Sequence, residues 1–373
     1  MKEGWEYIAL SSVCKVQNGF AFNSKMFNDS NKGLPLIRIR DIKRGYSLTY
    51  TDEACSDDFF VEDGDMLIGM DGDFNIGEWK GGHALLNQRV CKLIPSEKVL
   101  AKFIFYVIPE ALRRINDKTA FSTVKHLSSK QVNAISLPKL DLSEQQRIVD
   151  YLDSAFAKID AMKANAEKSL NEAKALFQAS LKEMLEPKEG WEEKTLKEIC
   201  KVINGRAYSK DEMLKQGKYR LLRVGNFFTN DSWYYSDLEL EEDKYCDNGD
   251  LLYAWSASFG PRIWDGEKVI YHYHIWKMVC SSKIDKYFLC YWLDSDELKK
   301  QTMTNLHGAT MAHITKGIIE AAHVSFPPLF EQQSIVDTLD SLKSKVDRLQ
   351  ANFEKISQEC DALKQAILRQ VFE

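Results

Sequence analysis

Several things are missing from this sequence, and each absence closes off a class of function. No stretch approaches the roughly 18 consecutive apolar residues that a membrane span needs, and no apolar N-terminal run resembles a secretory leader. The eight cysteines are scattered without a C-x-x-C pair, so their spacing supports neither a zinc site nor a disulfide framework; reduced thiols in a cytoplasmic protein are the simpler expectation. An excess of positive charge is also lacking. At a formal charge of −5, any nucleic-acid binding must come from local basic patches. No G-x-G-x-x-G follows a strand-like run, and there is no P-loop and no H-E-x-x-H. The Asn-Pro-Pro or Asp-Pro-Pro plus aromatic loop of amino-methyltransferases does not occur. Asp71 to Gly77 opens like a calcium loop, but its glycine comes one place late and position twelve is Gly82 instead of a glutamate. The chain is therefore expected to be non-catalytic, with no metal and no cofactor of its own.

Glycine and proline are absent from two long stretches, about 144–186 and 331–373, rich in Ala, Leu, Glu, Lys and Gln. Such composition predicts two long helices. The stretches align without a gap, and about half of the aligned residues are identical. Apolar residues recur in alternating steps of four and three, the pattern of a coiled-coil seam. In the second copy the seam reads Ile335, Leu339, Leu342, Val346, Leu349, Phe353, Ile356, Cys360, Leu363 and Ile367. The matching positions of the first are Ile148, Leu152, Ala155, Ile159, Met162, Ala166, Ser169, Ala173, Leu176 and Ser180. Small residues in one copy facing larger ones in the other predict that the two helices pair with each other.

The repeat extends beyond the helices. EGWEYIALSSVCKVQNG at residues 3–19 returns as EGWEEKTLKEICKVING at 189–205. LPLIRIRDI from Leu34 answers YRLLRVGNF from Tyr219, and Gly64-Asp65 answers Gly249-Asp250 before an apolar strand. HALLNQRVCKLIP from His83 answers VIYHYHIWKMVC from Val269, each alternating as one half-buried strand does. Helical runs follow near 101–114 and 286–300, and prolines at 138, 327 and 328 mark the exits from the globular parts. The expected layout is a domain at 1–143, a helix at 144–186, a domain at 187–330 and a helix at 331–373. Trp5 and Trp191 sit inside the repeated pattern and are expected in the cores. A helix of this length spans roughly 65 Å, too far for a compact domain to carry the chain back, so the helices are expected to be antiparallel with pseudo-twofold symmetry.

Candidate nucleic-acid contacts are local. Arg38, Arg40, Lys43 and Arg44 cluster where a strand is predicted to end, and Arg220, Arg223 and Asn226 lie in the matching segment. Guanidinium and ammonium groups there suit phosphates or guanine edges. Taken alone, the cluster fits a solvated strand end with internal ion pairs better. Asn87, Gln88 and Arg89 align with His272, Tyr273 and His274; amides and arginine suit base edges, and cross-strand pairing explains them equally well. Two polar loops add Lys118 and Lys125 in the first domain and Asn305, His307 and Thr310 in the second.

Together the repeated GWE and L-x-x-(V/I)-C-K-V-x-N-G starts, LIRIRDI, GDLLYAWSASFGP, GATMAHIT and the L-x-EQQ-x-IVD-x-LD opening of each helix resemble the specificity subunit of type I restriction-modification enzymes. The counterpart of GATMAHIT, AFSTVKHLS, departs from the pattern. The resemblance implies two α/β target-recognition domains in tandem, an α+β chain overall, with the helices forming an antiparallel coiled coil. It implies that each domain reads half of a split site in double-stranded DNA. Two methyltransferase subunits would sit on the helices with S-adenosylmethionine bound to them, and restriction and translocase subunits would complete the complex. The competing readings are a coiled-coil adaptor that binds no DNA, and an enzyme whose catalytic site follows none of these motifs.

Overall fold

The computed structural model describes residues 4–72, 74–118, 125–256, 258–303 and 314–373; the side chains of Lys118 and Met303 are not among the described atoms. Two compact units emerge, one built from Met1–Asn165 with Lys355–Glu373 and the other from Ala166–Glu354. Among the described residues no helix is long and apolar enough to cross a membrane.

Each unit has the same sheets. In the first, Cys14–Asn18, Val90–Pro95, Met66–Gly69 and Ile76–Glu78 lie side by side in that order, all antiparallel. A second sheet orders Tyr50–Thr51, Leu34–Ile37, Ala84–Leu86 and Phe60–Val61, with its central pair parallel. In the other unit the sheets are Cys200–Asn204, Ile275–Cys280, Leu251–Ser256, Ser258–Ile263 and Tyr234–Ser236, Tyr219–Leu222, Val269–Tyr271, Tyr245–Cys246. The segment expected as one strand from His83 is two strands. Ala84–Leu86 belongs to one sheet and Val90–Pro95 to the other, and the chain turns between them at Gln88-Arg89. His272-Tyr273-His274 makes the same change of sheet.

The repeated asparagine-glycine is explained by this crossing. A Cβ on Gly19 would meet the Asn87 carbonyl oxygen at 2.1 Å, and one on Gly205 would meet that of His272 at 2.3 Å. Only glycine lets the first strand pass so near the turn. The LIRIRDI strand also ends earlier than its apolar pattern suggests, at Ile37, because the Asp41 carboxylate accepts the Arg38 N–H at 2.9 Å and starts a 3-10 turn at Ile39–Asp41.

Helix Ala101–Lys118 presents Phe103, Ile104, Val107, Ile108 and Leu112, spaced along one face, to Met66, Ile68, Cys91 and Leu93 of the sheet. Each such side chain contributes about 1.5–3 kcal/mol through burial. Its counterpart breaks at Ser295 into Lys286–Asp294 and Asp296–Met303, and covers its sheet with Phe288, Leu289, Trp292 and Leu293. Trp5 and Trp191 are only half-buried. The fully enclosed indoles are instead Trp79, Trp276 and Trp292.

The long helices run Leu142–Leu185 and Leu329–Phe372. In the first unit Asp160 pairs with Lys364 at 2.5 Å and Lys163 with Asp361 at 3.7 Å, so one helix descends as the other rises and the pair is antiparallel. In the second unit Lys174 reaches Gln350 at 2.8 Å. Ile148, Leu152, Ile159, Ile335 and Leu339 are buried, and Leu342, Val346, Leu349, Phe353, Ile356 and Ile367 are half-buried. Met162, Leu176 and Leu363, expected on the seam, are exposed at 60%, 59% and 48%. Two layers of the first helix are covered by both neighbours, Ile148 with Val149 and Ala155 with Phe156, and three lie one residue later than expected, at Lys163, Leu170 and Phe177. The sequence offers neighbouring apolar residues at several of these layers. Phe156 and Leu170 exclude more water than Ala155 and Ser169, and that difference sets the phase. In the second helix Lys364 turns inward in place of Leu363, its ammonium over the Phe156 ring at 5.3 Å and paired with Asp160.

One glutamine joins each domain to its helix. Gln145 is 2% exposed; its amide N–H groups donate to the carbonyls of Lys98 and Leu140, and its amide oxygen accepts the Leu100 N–H. Gln332, fully buried, does the same with Lys283, Pro327 and Asp285 at 3.0, 2.7 and 2.7 Å. Replacing Gln332 by Leu leaves three main-chain groups without partners, and we expect a loss of about 2–4 kcal/mol, against under 0.5 for the exposed neighbour Gln333→Leu. Urea unfolding midpoints of the two variants make the comparison. Equal midpoints would show that the buried amide holds nothing.

Candidate nucleic-acid interface

In the first unit, the turn after Leu34–Ile37 and the sheet-crossing turn meet at one groove of about 600 Å³. Arg38, Arg40 and Lys43 line it together with Asn75, Asn87 and Arg89, while Asp71 and Gly72 form part of its wall. Arg38 and Lys43 are exposed and make no ion pair among the described residues. Arg40, 62% exposed, donates to Thr49 at 3.3 Å, and its Nε lies 3.9 Å from the Asp41 carboxylate.

Arg44 does not belong with them. Its guanidinium donates to the Asp41 carboxylate at 2.5 Å and to the Tyr46 carbonyl at 2.7 Å, and it stacks on the Tyr46 ring. Asp41 is completely buried, so Arg44 is the counter-charge of a folded turn. Arg89 is partly neutralised: its Nε lies 3.3 Å from Asp71, which also holds His126 at 2.6 Å. That His126–Asp71 pair ties the strand-like segment at 125–127 to the groove wall, where Gly72 donates to the Lys125 carbonyl and Leu127 to that of Met70. Lys125 is half-buried. Asn87 is 9% exposed, and its side-chain oxygen accepts the Gln88 N–H, leaving its amide N–H groups for the groove. Gln88 is exposed at the apex of the turn and is not among the residues that line the groove.

The second unit puts different chemistry at the same place. Arg223 occupies the position of Arg38, exposed at the start of helix Val224–Phe228 and over the Tyr234 ring at 5.3 Å. His272, Tyr273 and His274 form the turn, with the His272 ring 4.8 Å from that of His274. Trp255, which the sequence did not single out, donates its indole N–H to the Tyr273 carbonyl at 2.8 Å and lies against the His274 ring at 5.1 Å. Its signal was only that a tryptophan stands where the first repeat has Met70 in the aligned apolar strand. Burial, reinforced by His274 and Arg223, lowers the His272 pKa to about 4. At neutral pH it is therefore an uncharged imidazole with one donor and one acceptor.

Two residues of this segment are engaged within the fold. Arg220 lies within strand Tyr219–Leu222, paired with Glu267 at 3.2 Å and over Trp233. The Asn226 amide donates to the carbonyls of Asn230 and Ser232, both at 2.8 Å, and closes the loop after its helix. Asn305, His307 and Thr310, and the side chain of Lys118, lie outside the described residues. No cluster of metal-binding side chains occurs among the described residues.

The family model described as the type I restriction modification DNA specificity domain matches the chain twice, over residues 2–172 and 188–358. The specificity subunit of the EcoBI type I restriction enzyme of Escherichia coli is 41% identical over 180 residues, 48% of this chain and 38% of that one. The chain thus matches well under half of the length of that relative. The MjaVIII specificity subunit of Methanocaldococcus jannaschii is 23% identical over 385 residues, covering 95% and 89% of the two chains. Two solved structures share the fold. One is a chain from work on complex assembly and conformational transition of the type I R-M system, with a TM-score of 0.76, 18% identity and coverage of 100% and 98%. The other is the HsdS subunit from Thermoanaerobacter tengcongensis, with a TM-score of 0.59, 17% identity and coverage of 100% and 97%.

The half-buried imidazole gives the turn a pH signature. An unfolded histidine takes a proton below its ordinary value of 6.5, whereas folded His272 refuses it until about 4. Stability is therefore lost as pH falls from 6.5 toward 4, and is unaffected by this group above 6.5. The variant His272→Asn, which installs the residue found at Asn87, should match the parent in melting temperature above pH 7 apart from a constant offset, and should gain on it steadily between pH 6.5 and 4. Parallel melting curves across that range would mean that His272 is not held neutral.

Proposed function

We propose, for a chain that belongs to the type I restriction-modification DNA specificity family, that it is the part of such a complex that reads DNA, one half of a bipartite double-stranded site per unit. The observation that carries this reading is a fixed platform with exchanged donors. The same glycine-supported turn and the same arginine before a short helix recur, yet one copy presents Asn87, Gln88 and Arg89 and the other His272, Tyr273 and His274. Amides and arginine on one side, and neutral imidazole with aromatic rings on the other, suit base edges of different sequence. Two half-sites of different sequence call for two such readers.

On this reading Arg38, Arg40, Lys43 and Arg223 hold phosphates or guanine edges. Each long helix, 44 residues and about 66 Å at 1.5 Å per residue, spaces the readers and carries a methyltransferase subunit. S-adenosylmethionine binding and methyl transfer belong to those two partners, cleavage and translocation to restriction subunits, and the complex works in the cytoplasm. To methyl transfer and cleavage the chain itself contributes recognition and no catalytic group.

Duplex binding titrated against salt tests the phosphate contacts. Lys43→Glu and Arg38→Glu should each weaken binding and reduce the log–log salt slope by about one, with the unfolding midpoint unchanged. Arg44→Glu should instead cost about 1–3 kcal/mol of stability by stranding Asp41, a buried-pair cost reduced because Arg44 is one-third exposed. A chain that shifts no duplex at low salt would support an adaptor without DNA binding.

Spacing has its own test. Deleting seven aligned residues from each long helix keeps the heptad phase and removes about 10 Å of rise. Methylation mapped in cells carrying the shortened protein with its partners should show the same half-sites with about three fewer base pairs between them. An unchanged spacer at full activity would mean that the helices do not set the distance.

A further inference from the structure

We propose that Cys200 and Cys280 of the second unit form a redox-active dithiol site, taking peroxides as its oxidising substrate and closing to a cross-strand disulfide. The two residues face each other across the antiparallel pair of Cys200–Asn204 and Ile275–Cys280. Ser281 donates to the Ile199 carbonyl and Gly205 to that of Ile275, which makes the flanking pairs the hydrogen-bonded ones. Cys200 and Cys280 therefore occupy a non-hydrogen-bonded pair, where Cα atoms lie about 4.5 Å apart and side chains come closest. That separation falls within the range a disulfide spans, about 4.4–6.8 Å. Among the described residues the Cys200 Sγ has no acceptor beyond a contact at 3.8 Å to the Lys201 carbonyl.

Accessibility divides the roles. Cys200 is 3% exposed, on the edge strand, while Cys280 is partly exposed at the end of its strand, beyond Met278, the last residue there to pair with Leu251–Ser256. The neighbouring Cys200 thiol pulls the Cys280 pKa down, whereas Cys280 and burial push Cys200 up. Cys280 is the nucleophile and Cys200 the resolving thiol. The Cys280 thiolate attacks one peroxide oxygen and breaks the O–O bond; the displaced hydroxide takes a proton and leaves as water, and Cys280 becomes a sulfenic acid. Cys200 then gives up its proton and attacks the Cys280 sulfur, expelling the sulfenic oxygen as a second water. Two thiols and one hydrogen peroxide yield one disulfide and two waters, with two electrons passing from sulfur to oxygen.

The first unit provides an internal control. Cys14 stands at the position of Cys200, but its cross-strand partner is Pro95, and burial pushes the Cys14 and Cys91 thiols up to about 11 and about 12.

The experiment treats the full chain with hydrogen peroxide at pH 7, quenches it, and maps peptides by mass spectrometry with and without dithiothreitol. The expected result is a dithiothreitol-reversible link between the Cys200 and Cys280 peptides, about 2 Da lighter than the sum of the reduced pair, formed before any change at Cys14 or Cys91. Cys200→Ser should trap dimedone at residue 280, and Cys280→Ser should abolish both the link and the dimedone adduct. A folded protein whose Cys280 stays reduced while peptides from the urea-unfolded chain oxidise would overturn the proposal. So would oxidation of Cys280 that ends in dimedone-reactive or over-oxidised sulfur without the link.

Discussion

A buried primary amide has two donors and an oxygen acceptor to satisfy, and leaving them unmet is costly. Gln145 and Gln332 meet that demand with main chain from two other segments: the loop entering the domain helix and the residue before the long helix. A single side chain thereby fixes the direction in which each long helix leaves its domain. Tyr106 bonded to Asp153, with Lys102 on the same carboxylate, and Tyr291 bonded to Asp340 at 2.5 Å brace the joint two turns further along. Everything argued about spacing depends on this joint, because a ruler measures nothing if its ends are loose.

The helices were legible as helices because their composition and heptad pattern survive any error of detail. Their facing was less so. Apolar residues stand next to each other at 148 and 149, 155 and 156, and 176 and 177, so a one-residue shift of every second layer leaves an equally plausible stripe. Choosing between the two stripes requires knowing which side chain displaces more water at each layer, and that depends on what the opposing helix and domain present. Lys163 and Lys364 show the limit most clearly. Each is half-buried on the seam through its aliphatic stem, which a pattern that sorts residues by charge cannot see.

For the candidate site, the sequence drew attention to stretches that the fold brings to one groove, but not to which of their side chains the fold already engages. The clustering of Arg38, Arg40 and Lys43 and the alignment of Asn87–Arg89 with His272–His274 were visible because the repeat supplied its own comparison. Arg44 sat in the same run of cations but answers to Asp41, whose complete burial no composition reveals. Asp71 was weighed as a metal ligand and is a bridge between Arg89 and His126. Trp255 escaped notice because its importance lies in a hydrogen bond to a turn eighteen residues away. Local pattern reports charge and period; it does not report which charges the fold has already consumed.

The two copies also show what frees a recognition surface to change. The elements they share act on the backbone: Gly19 and Gly205 admit a carbonyl, Asp65 and Asp250 close a turn and hold Lys92 and Lys277, and Trp79 and Trp264 donate to main-chain carbonyls. None of them depends on which side chains follow at the apex. The turn between the sheets is thus held by groups beneath and beside it, and its outward residues carry little of the folding energy. A substitution at Gln88 or Tyr273, both exposed, disturbs neither the strand crossing nor the core. At Asn87 and His272 the side chain is buried or half-buried as well as available, and so stability and recognition are coupled there. On the proposed reading, change in what the turn reads is cheapest at its apex and most constrained at its first residue, where the same atoms must satisfy both the fold and the DNA.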